Sequence, residues 1–130
     1  MRNKLSKNIH LIISTAIVIP VALVYGIFPK TILPHLLDFT PQTTDLSNML
    51  RAIMGLYLAS ATLWVMGIVK PGYWKVATRS NIVFMGGLAF GRIISLPLDG
   101  FPSTVFIVGL AGELILAVFG ILQLRKFNET

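Results

Sequence analysis

Residues 80–103 read SNIVFMGGLAFGRIISLPLDGFPS, and how this stretch can be placed decides the fold. Between Ser80 and Leu98 there is one charge, Arg92, in a run close to the roughly 20 residues that cross hydrocarbon as a helix. Asp99, Gly100 and Pro102 then interrupt it, and a second apolar run begins at about Ser103. The expectation is a spanning helix, a tight turn and a returning spanning helix. Similar runs at about 9–28, 48–69 and 103–124 complete a set of four. The sequence therefore predicts an all-α fold: one integral membrane domain, 1–130, built as a four-helix bundle. Strands fit poorly, because no run alternates and four strands cannot close a barrel to satisfy their edges.

Composition agrees. Of 130 residues, 55% are hydrophobic and 12% charged, with a mean hydropathy of +0.79, whereas soluble domains are about one quarter charged. There is no cysteine, which removes disulfides, thiolate nucleophiles and cysteine-held metal clusters. The net charge of +6 does not point to nucleic acid, because the charges sit at the ends of apolar runs rather than along one solvated face.

Those charges orient the bundle. Arg2, Lys4 and Lys7 precede the first span, Lys70, Lys75 and Arg79 separate the second from the third, and Arg125 and Lys126 follow the fourth. The other loops hold Lys30 as their one basic residue, with Asp38, Asp45 and Asp99. By the positive-inside rule both termini are predicted to be cytoplasmic. The first run does not read as a cleaved signal, since it is long and no small-residue cleavage pattern follows near Tyr25 to Lys30. Pro20 within it reads as a hinge or a fixed kink, the kink being preferred.

Between the first two spans, PKTILPHLLDFTPQTTDLSN has an apolar side made by Ile32, Leu33, Leu36, Leu37 and Phe39, and predicts a short interfacial helix. Thr43, Thr44 and Asp45 supply caps for the second span. Tyr73 and Trp74 read as interface anchors.

Three charges lie inside the spans: Arg51, Arg92 and Glu113. Charge in hydrocarbon is costly and persists where it is paired, hydrated or used. At about 1.5 Å rise per residue, Arg51 and Arg92 lie one to two turns below the outer surface and Glu113 near mid-membrane. Arg92 can reach down to Glu113 or up to Asp99. Arg51 alone can equally snorkel to headgroups, whereas Glu113 is too short to do so. Small residues share their helical faces: Gly55 and Ala59 with Arg51, and Gly109, Ala117 and Gly120 with Glu113. That predicts an inward location. Gly87 and Gly91 form a GxxxG pattern, read either as a dimer interface or as close packing inside one bundle, with internal packing preferred.

His10 and His35 have no second ligand at metal spacing, and no Walker loop, GxSxG elbow, HExxH or dinucleotide fingerprint is present. No cofactor or metal is expected. The candidate ligand-binding set is Arg51, Arg92, Glu113, Asn48, Ser95 and Asp99, with Met54, Met85, Leu88 and Phe90 or Phe106 as apolar walls.

Three segments carry a resemblance: RAIMGLYLA at 51–59, FMGGLAFGRIISLPLDGFPS at 84–103, and Glu113 in the next span. Together they resemble the bacterial membrane proteins grouped as domain of unknown function 4345, over nearly the whole chain. The resemblance implies a four-helix inner-membrane protein and no particular activity. A more distant similarity to DoxX-like membrane proteins would imply quinone-linked or redox accessory roles. Three functions stay open: a pocket for a small amphiphile, lipid or quinone-like molecule with a polar or anionic head, a proton-coupled oligomeric transporter, or an accessory subunit of a larger membrane complex. The partners expected are membrane lipids, such an amphiphilic ligand, and a homo-oligomer or larger complex.

Overall fold

The computed structural model describes residues 2–127. Five helices follow in order: α1 (Arg2–Gly26), α2 (Pro29–Leu36), α3 (Thr44–Val69), α4 (Trp74–Asp99) and α5 (Thr104–Phe127), with a short 3-10 turn at Pro71–Tyr73. Helices α1, α3, α4 and α5 are each long and apolar enough to cross a membrane. They begin and end a few residues beyond the apolar runs, because a helix continues past hydrocarbon into the interface with polar residues on it.

The distribution of polarity is inverted relative to a soluble protein. Val83, Phe90, Leu98, Val108 and Ile115 are exposed on the outer faces, whereas His10, Ser14, Thr78, Asn81 and Glu113 are buried. A lipid-facing exterior tolerates the first group, and helix-to-helix packing shelters the second.

Packing is strongest between α1 and α3 and between α4 and α5, with α3 against α4 joining the two pairs. Aromatic side chains run through the centre: Tyr25, Tyr57, Phe84 and Trp64 meet edge to face in sequence, with centroids 5.9, 4.9 and 5.1 Å apart. Trp64 donates its Nε1–H to Ser80 Oγ at 3.0 Å, so the buried indole keeps a polar partner. Trp74 is buried against neighbouring helices and donates to the Lys7 carbonyl at 3.2 Å, while Tyr73 beside it is exposed.

The fourth side of the bundle, α1 against α5, closes at one end only. There Gln123 Nε2 donates to the Ser6 carbonyl at 2.6 Å and His10 Nε2 meets the Leu116 carbonyl at 3.1 Å. Toward the other end the two helices part. Helix α2 covers that end, with Pro29 opening its first turn and Leu33 fully buried.

Local signals act as expected at the helix ends. Thr43 Oγ1 accepts from the Leu46 N–H at 3.0 Å and caps α3. Gly100 ends α4 at φ 93°, a conformation that side chains resist, and its N–H bonds the Leu96 carbonyl at 3.1 Å. Helix α1 runs unbroken through Pro20, and α4 through Pro97.

The glycines correct the expected faces. A Cβ at Gly87, Gly91, Gly55 or Gly109 would meet nothing within 4 Å, so these do not mediate packing within the bundle. Close approach occurs at Gly26 against Met54, Gly67 against Ala77, and Gly120 against Ile82 and His10. Helices that are apolar on every side give no sequence cue as to which small residue turns inward.

Candidate functional site

Where α1 and α5 part, they leave a cleft of about 450 Å3 reaching from the α2 end to the level of Leu116. Val18 and Val21 of α1, Met85 and Leu88 of α4, and Phe106 and Gly109 of α5 make much of its wall. Leu37, just past α2, closes the top. The lining is overwhelmingly apolar; its ionised groups are Arg92 and Glu113.

Those two residues form one unit. Arg92 Nε donates to both Glu113 carboxylate oxygens at 3.0 Å. The side chains are 25% and 10% exposed, so the pair is largely withdrawn from its surroundings but still borders the cleft. Because Nε makes both contacts, Glu113 does not engage the terminal N–H groups of the guanidinium, and the Tyr25 phenol oxygen accepts a hydrogen bond from it. The guanidinium carbon stands 5.2 Å from the centroid of the Phe106 ring, a cation–π arrangement, and Tyr25 lies beside it. The positive charge is thus wedged between a carboxylate, a π face and a phenol. Its remaining N–H donors can satisfy a carbonyl or hydroxyl arriving in the cleft.

The other expected site residues lie elsewhere. Arg51 does not join Arg92 and Glu113: its Nη1 donates to the carbonyls of Gly26 and Ile27 at 2.9 and 3.2 Å. A helix leaves its last carbonyls without intrahelical partners, and a cation near them also favours the helix dipole. Arg51 serves that end of α1 from the exposed start of α3, and Gly55 and Ala59, which share its helical face, are exposed too. Asn48 is exposed and outside the cleft lining. Ser95 donates to Asp99 Oδ2 at 2.7 Å, a local pairing one turn apart on α4. Ser95 also borders a smaller pocket of about 220 Å3 on the far side of Arg92, so the arginine stands as the partition between two hollows. Of the expected walls, Met85, Leu88 and Phe106 line the cleft, Met54 packs on Gly26, and Phe90 faces outward.

A second polar group was not anticipated. His10, Ser14, Thr78 and Asn81 are at most 1% exposed, around the level where α1 meets α5. A carbonyl only accepts, so His10 Nε2 must carry a proton toward Leu116, while His10 Nδ1, both hydroxyls and both polar atoms of the Asn81 amide have no partner among the described residues. The cue in the sequence is four polar residues on the inner turns of apolar spans, with Ser14 one turn after His10 and Asn81 one turn after Thr78.

The fold and this pair define a polytopic helical membrane protein with a buried ion pair bordering an apolar cleft. The chain belongs to the family described as Domain of unknown function (DUF4345), whose model matches residues 6–124 and so includes every residue of the cleft. No curated protein and no solved structure matches it.

Proposed function

We propose that the protein binds a small neutral amphiphile, lipid-like or quinone-like, which enters the cleft sideways from the bilayer between α1 and α5. Its polar head meets terminal N–H donors of Arg92 that Glu113 does not engage, and its apolar body lies against Val18, Val21, Leu88 and Phe106. The observation carrying this reading is a roomy apolar cleft bordered by one guanidinium that Glu113 engages through Nε alone. A volume of about 450 Å3 lies within the roughly 300–1,000 Å3 of small-molecule sites.

The charge balance narrows the head chemistry. Glu113 neutralises Arg92, and Arg51 is engaged at the end of α1, so an anionic head would bring an uncompensated charge into an apolar cleft. A carbonyl or hydroxyl costs far less. In the same reading the end with both termini faces the cytoplasm across the inner membrane, supported by the basic residues gathered there and the aspartates at the opposite end.

The test is native mass spectrometry of gently extracted protein beside Arg92→Ala and Gly109→Leu. Gly109 borders the cleft and a Cβ there would meet nothing within 4 Å, so leucine is chosen to put side-chain volume at the cleft wall. The parent should carry a neutral adduct that both variants lose while staying folded. A bare parent, or variants carrying the same adduct, would reject the proposal.

One observation favours a further partner, a second copy of the chain. Gly87 and Gly91 stand one turn apart on an outward face of α4 with nothing over them, which suits close helix-to-helix contact in a membrane. Gly87→Leu should lower the yield of cross-linked dimer in vesicles; equal yield would dismiss the dimer and leave the cleft untouched.

A further inference from the structure

At the end of the bundle opposite the cleft, a second cavity of about 390 Å3 is enclosed by the start of α1, the end of α3, the Pro71–Tyr73 turn and Phe127. Its chemistry differs from that of the cleft. Lys4, Lys7, Asn3 and Asn8 supply amine and amide groups, while Ile68 and Phe127 supply apolar wall.

Two of these groups, Lys7 and Asn8, are held in place. Lys7 has its ammonium 4.6 Å from the centroid of the Trp74 ring, and its carbonyl accepts from the same indole at 3.2 Å. The cation–π contact fixes the lysine without consuming a negative partner. Asn8 is buried and anchored by donating to the Ile68 carbonyl at 3.2 Å. The ammonium of Lys126, which is not among the lining residues, stands 5.3 Å from the ring centroid of Phe127. Among the described residues the carboxylates are Asp38, Asp45, Asp99 and Glu113; the first three belong to the opposite end and the last is paired with Arg92. None of the described residues lining this cavity is acidic.

A concave site lined by two lysines, with no acid among its described lining residues and an apolar flank lying at a membrane boundary, matches a phosphate that carries acyl chains. A nucleic acid would need a wide basic face, and an acidic protein would not use the apolar flank. We propose that this cavity binds the phosphate headgroup of an anionic phospholipid, with Lys4 and Lys7 on the phosphate and Ile68 and Phe127 beside the first part of the acyl region. The site is separate from the cleft and does not depend on what the cleft holds.

The test is a lipid titration of the full chain followed by native mass spectrometry, comparing phosphatidylglycerol with phosphatidylcholine of the same acyl chains. The parent should retain phosphatidylglycerol in preference. With each ammonium near the surface contributing about fivefold in affinity, Lys4→Gln/Lys7→Gln should weaken retention on the order of 20-fold. Lys7→Arg should keep it, and Lys30→Gln at the opposite end should leave it unchanged. A thermal transition equal to the parent's verifies that the double variant is folded; should it unfold, the Lys4→Gln single variant decides by the same fivefold criterion. Equal retention of the two lipids, or an undiminished signal after removal of the lysines, would overturn the site. Displacement of phosphatidylglycerol by an equal concentration of inorganic phosphate would overturn the lipid assignment in favour of a free anion.

Discussion

Replacing Arg92 by leucine removes the group to which Glu113 makes both of its hydrogen bonds. The carboxylate, 10% exposed, then faces an apolar cleft alone. Removing one partner of a buried ion pair costs about 3–5 kcal/mol, because the charge left behind must be carried without compensation. Arg92 is a quarter exposed, which places the expected loss near the lower bound, about 3 kcal/mol. Arg92→Leu/Glu113→Leu removes both charges and should return to the parent's stability or exceed it, since two desolvation costs vanish along with one attraction. The coupling from the full cycle is therefore about 3 kcal/mol or more. Reversible unfolding in mixed micelles, followed by the signal of Trp64 and Trp74, reads it. If the double variant is destabilised by the sum of the two single losses, the pair does not act as a unit and the electrostatic reasoning fails.

Other substitutions probe separate contacts. Arg51→Ala should cost about 1 kcal/mol by releasing the carbonyls of Gly26 and Ile27, yet leave the cleft adduct intact in the mass spectrum, which separates it from Arg92→Ala. Gly120→Ala should destabilise by about 1–3 kcal/mol in the same micelle assay, because its Cβ would lie 2.8 Å from Ile82 and 2.9 Å from His10. Gly91→Ala, with open space around it, should instead gain about 0.5–1 kcal/mol in the monomer, and a loss there would show that the face is covered. Asn81→Leu removes a buried amide that has no partner and should raise stability by about 1–3 kcal/mol; a marked loss would mean that Asn81 serves His10 or Thr78 after all.

Much of this molecule can be read from residue types and their spacing. Stretches of about 20 apolar residues have few alternatives to a spanning helix, so all four long helices follow from length alone. The Arg92–Glu113 pair is legible from depth: a mid-membrane carboxylate needs a partner, and an arginine two turns above can reach it. Depth does not report azimuth, and there the sequence falls short. Arg51 lies at a suitable height, but the carbonyls ending α1 are closer to it than Glu113, and nothing in a linear pattern reveals that competitor. Gly87 and Gly91 turn outward for the same reason: on a helix apolar all round, the glycine spacing marks a flat face without saying which side it is. The polar group around His10 was marked by Ser14, Thr78 and Asn81 inside apolar runs, and only the meeting of α1, α4 and α5 brings those helices together. The cleft itself has no local signature, because it arises from α1 and α5 being fastened at one end and apart at the other.

A structure of the protein reconstituted in a lipid nanodisc addresses the cleft without any variant. Elongated density should lie between α1 and α5, its polar end within hydrogen-bonding distance of the Arg92 guanidinium and its body against Val18, Val21 and Phe106. Helices α1 and α5 closed upon each other from Ile17 to Tyr25, with Arg92 sealed among protein groups alone, would contradict a ligand-binding role.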